Sequence, residues 1–452
     1  MLNRKIESEL RTYFRSNESK MLIVDGARQI GKSYIIRHVG QEMFPNYIEI
    51  NLEKDKLGDK LFQDISTIND FYLTLSTIAG DKMKEKENTL VFIDEIQAYP
   101  QYLTMIKFLM EDGRFTYVGS GSLLGVALKK TSSVPLGSMR TVHMYPLDFE
   151  EFLTANGVGQ MVIDDMRRRF ESDDSLPASI HNKIMDYFRK YLLVGGLPDS
   201  VNIFLAENNI MNIRKSQAEI VDLYKIDAAK YEKDSNKKLK IQRIYEMLPS
   251  NMENKKKRIV AQNIEGKKGR RMSNYQDEFD YLISSGISLD VKAISQPSYP
   301  LVQNAGKNLL KLYLNDVGLF TGILYHNNIK PVMDDSKSVN LGSVYETVAA
   351  QELKAHGFSL YYYDNKQNGE VDYLIDDYSH LTVLPLEIKS GKDYMVHSAL
   401  DKLLSIDNYQ IKQAYVLSNE REVSVKDGIT YIPIYYIMFF RPEEEATSFD
   451  SL

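Results

Sequence analysis

Hydrophobic and polar positions in the first third of the chain follow two alternating patterns. Four apolar residues followed by an aspartate predict a buried strand at residues 21–25. Helical spacing of apolar positions then resumes at residues 33–39. Further strands are predicted at residues 47–52, 89–93 and 115–118. Strands that alternate with helices in this way predict a three-layer α/β domain built on a parallel sheet.

The rest of the chain changes from a helical to a strand-rich pattern. Residues 164–240 are charged and helical in pattern, with one interruption at 194–198. Residues 240–324 predict a helix, a basic segment, a second helix and a hairpin-like stretch. A polar connector at 327–340 leads to a predicted helix at 344–356. Strands then dominate, at residues 360–363, 371–375, 382–388, 414–417 and 429–437.

Composition excludes several classes of protein. Hydrophobic residues make up 43% and charged residues 26% of the 452, which is typical of a globular chain and not of a disordered one. Because there is no cysteine, disulfides, thiolate zinc sites, iron–sulfur clusters and cysteine nucleophiles are excluded. The longest apolar run, residues 431–440, is shorter than the ~18 residues that a membrane helix needs. The N-terminus has no apolar core of a secretion signal, so we expect a cytoplasmic protein outside the membrane.

Residues 26–33 fit the pattern G-x-x-x-x-G-K-[ST] at every specified position, between a predicted strand and a predicted helix. Glycines let successive backbone N–H groups approach phosphate oxygens, and the helix N-terminus adds positive charge. In this arrangement the lysine reaches the β- and γ-phosphates and the serine hydroxyl binds Mg²⁺, so we predict ATP and Mg²⁺ as cofactors. A chance glycine-rich turn is the alternative. The predicted nucleotide-binding residues are Gly26, Ala27, Arg28, Gln29, Ile30, Gly31, Lys32, Ser33 and Tyr34.

Polar residues that follow the next strands complete this predicted site. Asp94 ends an apolar strand and is predicted to hold Mg²⁺, while Glu95 is predicted to polarise the attacking water. Both acids could also simply end a strand. Ser120 is predicted to contact the γ-phosphate or that water, with an ordinary turn as the alternative. Arg140 is predicted to contact a phosphate of its own or of a neighbour's nucleotide, or else is a solvated arginine.

Several motifs occur in a fixed order along nearly the whole chain. They are residues 26–33, 93–95, 118–120, 145–152, 195–198 and 311–319. In this combination they resemble the AAA+-like P-loop ATPases of bacteria and archaea that carry a C-terminal domain of unknown function. The resemblance implies ATP hydrolysis, a sensor role for Ser120 and a homo-oligomer, since rings are common in such proteins. The sequence departs from the pattern at Val118, which replaces threonine, and at residues 137–140, which bears on the role of Arg140.

A basic segment at residues 255–271 contains eight Lys and Arg and one acid, Glu265. The whole chain has 56 basic and 62 acidic residues, a formal charge of −6, so the local and overall charges disagree. With predicted helices at 241–248 and 275–284 and a later hairpin, the segment resembles a winged-helix region, which implies binding of the DNA backbone. A solvated loop, or a patch that meets an acidic surface of another subunit, is the alternative.

Four residues near the C-terminus form a second candidate site. Glu346 lies in a predicted helix, Asp372 in a strand, and Glu387 and Lys389 in the next strand at i and i+2, which face the same side. The three carboxylates are predicted ligands of one Mg²⁺, with Lys389 beside the metal to position water or stabilise charge. This order resembles the PD-(D/E)xK nuclease superfamily. A degenerate nuclease fold that serves binding or assembly, or plain surface charges, are the alternatives.

The expected fold class is therefore α/β, with a P-loop NTPase sheet, a helical and winged-helix middle, and a C-terminal restriction-nuclease-like domain. The predicted domains are an AAA+-like P-loop ATPase core at 1–160, a helical lid at 161–235, a winged-helix-like domain at 236–326 and a PD-(D/E)xK nuclease-like domain at 327–452. We expect an ATPase whose nucleotide state controls DNA binding or processing. The alternative is a nucleotide-switched signalling or assembly protein with a catalytically silent nuclease-like scaffold and no nucleic-acid role.

Overall fold

The structure, a computed structural model, divides into two compact units. It describes residues 2–16, 18–122, 124–130, 137–228, 230, 232–254, 257–305, 309–334 and 341–442. The N-terminal unit comprises residues 1–145, 227–233 and 280–287, and the C-terminal unit comprises residues 146–226, 234–279 and 288–452. The chain therefore returns twice to the N-terminal unit after first leaving it.

The N-terminal unit contains a five-stranded sheet in which all strands are parallel, in the order β2-β3-β4-β1-β5. Its elements are α1 Ile6–Arg15, β1 Met21–Asp25, α2 Lys32–Met43, β2 Asn46–Asn51, α3 Leu52–Leu57, α4 Ile68–Ala79, β3 Thr89–Asp94, α5 Gln101–Asp112, β4 Thr116–Gly121, α6 Leu124–Lys130 and β5 Met139–His143. β4 lies between β1 and β3. The predicted α/β fold with a parallel sheet is confirmed.

Helices cover both faces of this sheet. Val91 and Ile93 of β3 are buried in one core cluster with Leu75 of α4 and Ile106 of α5. Leu90 points to the opposite face, where α2 packs so closely that a Cβ atom at Gly40 would lie 2.7 Å from the Leu90 side chain. Because both faces are covered, the strands read as continuous apolar runs.

The C-terminal unit contains an eight-stranded mixed sheet in the order β12-β13-β11-β10-β9-β8-β6-β7. The helices that precede it in the chain are α7 Phe149–Ala155, α8 Gln160–Glu171, α9 Ala178–Val194, α10 Pro198–Glu207, α11 Ile210–Asp227, α12 Ser235–Glu253, α13 Ala261–Glu265 and α14 Gln276–Ser284. Of these, the last residue of α11 and the residues of α14 from 280 onward belong to the N-terminal unit. The later elements are β6 Ser288–Ile294, β7 Leu310–Leu314, α15 Val317–Tyr325, α16 Lys330–Met333, α17 Gly342–Ala355, β8 Tyr361–Asn365, β9 Gly369–Asp377, β10 Thr382–Ile388, α18 Ser398–Leu404, β11 Ala414–Ser418, β12 Ser424–Lys426 and β13 Ile429–Pro433.

The hairpin predicted as the wing of a winged helix differs from that expectation. β6 and β7 pair antiparallel with each other, and β6 also pairs in parallel with β8, so the hairpin extends the C-terminal sheet. The Lys292 N–H, for example, donates to the Leu360 carbonyl at 3.1 Å. Backbone hydrogen bonds therefore join strands from both sides of the predicted boundary between residues 326 and 327 into one sheet.

Helix α17 is buried along most of its length, from Ser343 to Leu353. It nevertheless contains the acids Glu346 and Glu352, and Glu352 accepts a hydrogen bond from the Phe149 N–H at 2.9 Å. Burial of such polar groups requires partners of this kind. None of the helices in the described ranges combines the length and the apolarity needed to cross a bilayer.

Candidate functional site

The loop between β1 and α2 folds tightly around two glycines with left-handed or related backbone angles. Gly26 has a φ of 133° and Gly31 a φ of 92°. A Cβ atom at Gly26 would lie 2.3 Å from the carbonyl oxygen of Met144, whose N–H donates to the Asp25 carbonyl at 2.9 Å. Glycine is thus required at position 26, because this backbone hydrogen bond holds the residue after β5 close to the end of β1. The resulting loop leads into the N-terminus of α2, an arrangement suited to phosphate.

Lys32 folds back onto this loop. Its ammonium group donates to the carbonyl oxygens of Gly26 at 3.0 Å and Ala27 at 2.6 Å. Burial lowers the pKa of Lys32, and the negative charges of Glu95 and Asp94 oppose that shift only in part. The lysine is therefore held at the loop by acceptors that phosphate oxygens can replace.

Asp94 is the centre of a hydrogen-bond cluster at the carboxyl end of the sheet. Its Oδ1 accepts from the hydroxyl of Ser33 at 2.9 Å and from that of Ser120. Its Oδ2 accepts from the side-chain amide of Asn51 at 2.8 Å. Burial raises the pKa of Asp94, and Glu95 adds to the shift, whereas hydrogen bonds from Ser120, Ser33 and Asn51 oppose it. Ser33 and Asp94 therefore offer adjacent oxygen ligands, which fit Mg²⁺.

Asn51 was not among the residues that the sequence pattern singles out. It ends β2 and lies opposite Asp94 in the parallel register of β2 and β3. The available signal is that a polar residue stands near the end of this predicted strand, as Asp94 stands at the end of the next one. Ser120 lies near because β4 separates β1 from β3.

Glu95 is held in an unusual backbone conformation and by neutral donors. Its φ is 53°, and its carboxylate accepts from the Ser122 hydroxyl at 2.7 Å and from the Gln97 side-chain amide. Burial alone raises the pKa of Glu95, but the charge of Lys32 and the hydrogen bonds from Ser122 and Gln97 outweigh it, so the net shift is downward. Neighbouring acids whose pKa values move in opposite directions are typical of a site that does chemistry.

Arg28 in the loop contacts a residue distant in sequence. Its Nε lies 3.1 Å from Oδ2 of Asp227, a buried acid at the end of α11, and 3.4 Å from the Ser122 hydroxyl. Gly286 also approaches the loop, since a Cβ atom there would lie 3.1 Å from the Ala27 nitrogen. No motif or spacing in the sequence marks Asp227 or Gly286.

The other predicted nucleotide contacts differ in position. Ile30 is buried, whereas Gln29 is exposed and Tyr34 is 55% exposed. Arg140 lies within β5 opposite Leu22, and its guanidinium pairs with Glu9 and Glu18. In the structure Arg140 is thus engaged by two acids. Its contact with a phosphate, whether of its own or of a neighbour's nucleotide, stays a prediction.

The C-terminal candidate residues converge on one cavity of about 310 Å³. Glu346, Asp372, Glu387 and Lys389 line it together with Lys257. Lys389 donates to Oε1 of Glu387 at 2.8 Å, and the Ile388 N–H donates to Asp372 at 2.8 Å. We call this cavity with its lining residues the acidic pocket.

Burial dominates the electrostatics of the acidic pocket. It raises the pKa of Asp372 well above the usual range, and the charges of Glu346 and Glu387 add to the shift. Burial also raises the pKa of Glu387, although Lys389 opposes it. Oε2 of Glu387 is buried without a hydrogen-bond partner, and the three carboxylates supply only oxygen donors. Both features fit a hard cation such as Mg²⁺.

The three pocket carboxylates are not gathered around one point. Within the described residues, the one group of three acid or histidine ligands with atoms closer than 4.8 Å is Glu7, His38 and Glu42. Arg11 pairs with both glutamates of that group, so a cation already neutralises it.

The motif at residues 311–319 contacts Glu346 of the acidic pocket. Lys311 is fully buried, 2.5 Å from Glu370 and 4.0 Å from Glu346, and the Tyr313 hydroxyl donates to Glu346 at 3.2 Å. Asp316 begins α15 and accepts from the Leu319 N–H at 3.1 Å and the Gly196 N–H at 2.7 Å. The motif thus joins the pocket to residues 195–198, a role that the sequence alone did not assign.

The basic segment divides into two parts in the structure. Lys255 and Lys256 lie outside the described residues. Lys257 pairs with Glu346 in the acidic pocket, and Arg258 pairs with Asp364 at 2.9 Å. The exposed cations of the segment are Lys267, Lys268, Arg270 and Arg271, of which Arg270 lies 3.3 Å from Glu265. The segment is therefore less uniformly free for DNA than its charge count indicates.

Family models match three parts of the chain. Residues 18–153 match a family described as AAA domain. Residues 185–329 and 341–437 match two families that are each described as a domain of unknown function, DUF8612 and DUF4143. The first match supports the P-loop ATPase relationship inferred from the motifs. The other two assign no chemistry, so the nuclease-like reading gains nothing from them. No curated protein matches the chain.

Solved structures show weak similarity. A Walker-type ATPase of Pyrococcus abyssi is 15% identical, with 72% of this chain and 96% of that chain covered and a TM-score of 0.43. Orc1 of Aeropyrum pernix, solved in complex with DNA, is 12% identical over 74% and 93%, with a TM-score of 0.31. A RuvB mutant of Thermotoga maritima is 13% identical over 64% and 89%, with a TM-score of 0.28. With TM-scores below 0.5, these similarities support no conclusion about function.

Proposed function

We propose that this chain binds and hydrolyses ATP with Mg²⁺ in the N-terminal unit. The observation that carries the proposal is the cluster of Ser33, Asp94 and Ser120 beside the glycine loop at the carboxyl end of a parallel sheet. Ligands of open α/β sheets bind at that edge. The match of residues 18–153 to an AAA domain supports the same function.

The residues have distinct roles in this proposal. The backbone N–H groups of residues 26–33 and the ammonium of Lys32 bind the phosphates, and Ser33 and Asp94 hold the metal. Bound Mg²⁺ would neutralise charge on the β- and γ-phosphates. Glu95, with its lowered pKa, is ionised at neutral pH and accepts the proton of the attacking water. Ser120 contacts the γ-phosphate or that water, and Asn51 orients Asp94.

Substitution of the P-loop lysine tests this proposal. We expect Lys32→Ala to abolish ATP turnover, because the ammonium held at the glycine loop would be lost from the phosphates. Phosphate release is measured for this variant, for the wild type and for Lys20→Ala, which removes an exposed lysine of the same unit. Unchanged hydrolysis in Lys32→Ala would contradict the assignment.

A second function is favoured by the convergence of four predicted residues on the acidic pocket. We propose that this pocket is a Mg²⁺-dependent nuclease site, with Glu346, Asp372 and Glu387 as metal ligands and Lys389 beside the metal. Nucleotide state would then control DNA binding through residues 267–271 or DNA processing by the pocket. The division into a core at 1–160, a lid at 161–235 and a C-terminal domain stays part of the proposal, with β6 and β7 moved into the last.

Cleavage of duplex, single-stranded and branched DNA with Mg²⁺ tests the nuclease proposal. Asp372→Asn and Lys389→Met should abolish any cleavage that the wild type shows, whereas Asp407→Asn, an exposed acid of the same unit, should not. If the wild type cuts none of these substrates, the pocket belongs to a binding scaffold.

The competing proposal is a nucleotide-switched signalling or assembly protein without a nucleic-acid role. Its signature is a mass that changes with ATP together with no salt-dependent DNA binding. A slope near zero of log affinity against log salt favours it, because contacts with phosphates always release counterions. Arg140 would then be examined at the interface between copies.

A further inference from the structure

Lys257 occupies a position in the acidic pocket that the metal-site proposal leaves unexplained. Its ammonium contacts the carboxylate of Glu346, and its side chain is 17% exposed. It lines the same cavity as Asp372, Glu387 and Lys389. Its φ of 44° is in the left-handed region, which is unfavourable for a residue with a Cβ atom. A strained backbone therefore delivers a cation into a cavity of acids.

One carboxylate oxygen of the acidic pocket lies without a positively charged partner. Lys389 is committed to Oε1 of Glu387, and Lys311, at 4.0 Å from Glu346, is closer to Glu370 at 2.5 Å. Oε2 of Glu387 is buried without a partner, and the residue is 7% exposed. Glu346 is the pocket acid whose countercharge is Lys257.

The spacing of the three carboxylates is consistent with the pairing of Glu346 with Lys257. Glu346, Asp372 and Glu387 do not come within 4.8 Å of one another as a set among the described residues. The contact with Lys257 holds Glu346, so one of the three proposed ligands is occupied by an internal cation. A divalent ion that recruits all three must take Glu346 from the lysine.

We propose that Lys257 is a tethered counter-ion of the acidic pocket and competes with the divalent cation for Glu346. This inference rests on the proposed metal site. Metal binding releases the Lys257 side chain toward solvent, and a nucleic-acid phosphate then becomes its natural partner. The lysine sets the affinity for the cation, because the chain supplies a charge that the ion must displace.

Mn²⁺ binding to the full-length, nucleotide-free chain tests the competition. Free Mn²⁺ is measured by electron paramagnetic resonance for the wild type, Lys257→Met, Asp372→Asn and Lys402→Met. The last removes an exposed lysine of the same unit, in α18, and serves as the control. We expect Lys257→Met to bind Mn²⁺ at the Asp372-dependent site at least about tenfold more tightly than the wild type, because one positive charge is lost beside the ion. Lys402→Met should bind like the wild type.

The possible failures are distinguishable. If the wild type binds Mn²⁺ in an Asp372-dependent way and Lys257→Met binds equally or more weakly, the tethered counter-ion is contradicted and the metal site stands. If neither the wild type nor Lys257→Met shows Asp372-dependent binding, the metal site itself fails, and the inference fails with it. Thermal unfolding of each variant verifies that it is folded.

Chemical labelling of lysines gives a second readout on the unaltered chain. Acetylation of Lys257 is followed by mass spectrometry with and without Mg²⁺, with Lys267 as the internal reference. We expect labelling of Lys257 to increase several-fold with Mg²⁺ while that of Lys267 stays constant. Equal labelling of Lys257 in both conditions would overturn the release of the lysine.

Discussion

The P-loop site and the acidic pocket are both lined by carboxylates, but the groups that hold those carboxylates differ. Asp94 and Glu95 accept hydrogen bonds from neutral side chains: Ser33, Ser120, Asn51, Ser122 and Gln97. The pocket acids Glu346 and Glu387 instead contact lysines. Neutral donors orient an acid without cancelling its charge, which favours the Mg²⁺ that we propose for the first site. Lysines cancel the charge, so a divalent cation proposed for the second site would have to displace one of them.

The largest effect is expected when the carboxylate of Glu95 is removed from the P-loop site. We expect Glu95→Gln to bind ATP normally and to slow hydrolysis by on the order of 10²-fold or more, because the proton acceptor is lost. Binding and single-turnover hydrolysis are measured separately, with Glu87→Gln as an exposed control. Full activity of Glu95→Gln would assign the proton acceptor to another residue.

Asp316, a buried acid outside both sites, shows how burial changes the pKa of an acid that accepts hydrogen bonds from neutral donors. Burial raises the pKa of Asp316 to about 6 from 3.8, although backbone N–H groups donate to it. As pH rises from about 4 to about 6, the unfolded chain loses this proton first, so the raised pKa makes the folded state progressively less stable and the penalty remains above pH 6.

The variant Asp316→Asn cannot lose that proton. Relative to the wild type, we expect it to gain roughly 2–3 kcal/mol of stability between pH 4 and pH 6, as two pKa units imply. Thermal or urea unfolding at several pH values measures the gain, with Asp81→Asn as an exposed control. A difference between variant and wild type that is independent of pH would contradict the raised pKa.

Asn51 tests whether a neutral donor tunes the metal site. In Asn51→Ala, Oδ2 of Asp94 loses the 2.8 Å hydrogen bond, so its orientation toward the metal is less well defined. Loss of such a supporting contact typically weakens metal binding or activity by about tenfold or more. The Mg²⁺ concentration for half-maximal ATP hydrolysis should rise accordingly, and Asn88→Ala should leave it unchanged. An unaltered Mg²⁺ requirement in Asn51→Ala would exclude this role.

The smallest effect is expected at Arg140. Its ion pairs with Glu9 and Glu18 are partly exposed, so Arg140→Gln should change the free energy of unfolding by about 1 kcal/mol or less. Hydrolysis by isolated monomers should not change. Activity is compared at low and high protein concentration, with Arg15→Gln as the control. A loss confined to the assembled state would place Arg140 at a neighbour's nucleotide.

What the sequence predicts well is local. Residues 26–33 carry their own spacing signal, and the apolar runs at 21–25 and 382–388 match strands at the same bounds. Asp227 and Gly286 approach the loop from distant positions, and no period or motif marks them. The pairing of the hairpin with β8 could not be predicted, because a hairpin pattern in the sequence does not reveal a third strand that pairs with it.

The acidic pocket illustrates the same limit. The order of Glu346, Asp372, Glu387 and Lys389 along the chain predicted their convergence, since helix and strand periodicity fix which side each faces. In the sequence, Lys257 is one of the eight basic residues of the segment at 255–271, for which binding of the DNA backbone is predicted. Its contact with Glu346 depends on the left-handed backbone of a connecting segment, which sequence spacing does not encode.

The path of the backbone has a consequence for separability. The chain passes between its two units after residues 145, 226, 233, 279 and 287. A fragment cut near residue 160 would contain the complete glycine loop, yet it would lack the acid that pairs with Arg28 and the glycine that packs on Ala27. The surroundings of the glycine loop thus include residues that follow segments of the C-terminal unit in the sequence. A fragment of residues 1–160 would present the glycine loop without Asp227 and Gly286, two of its neighbours.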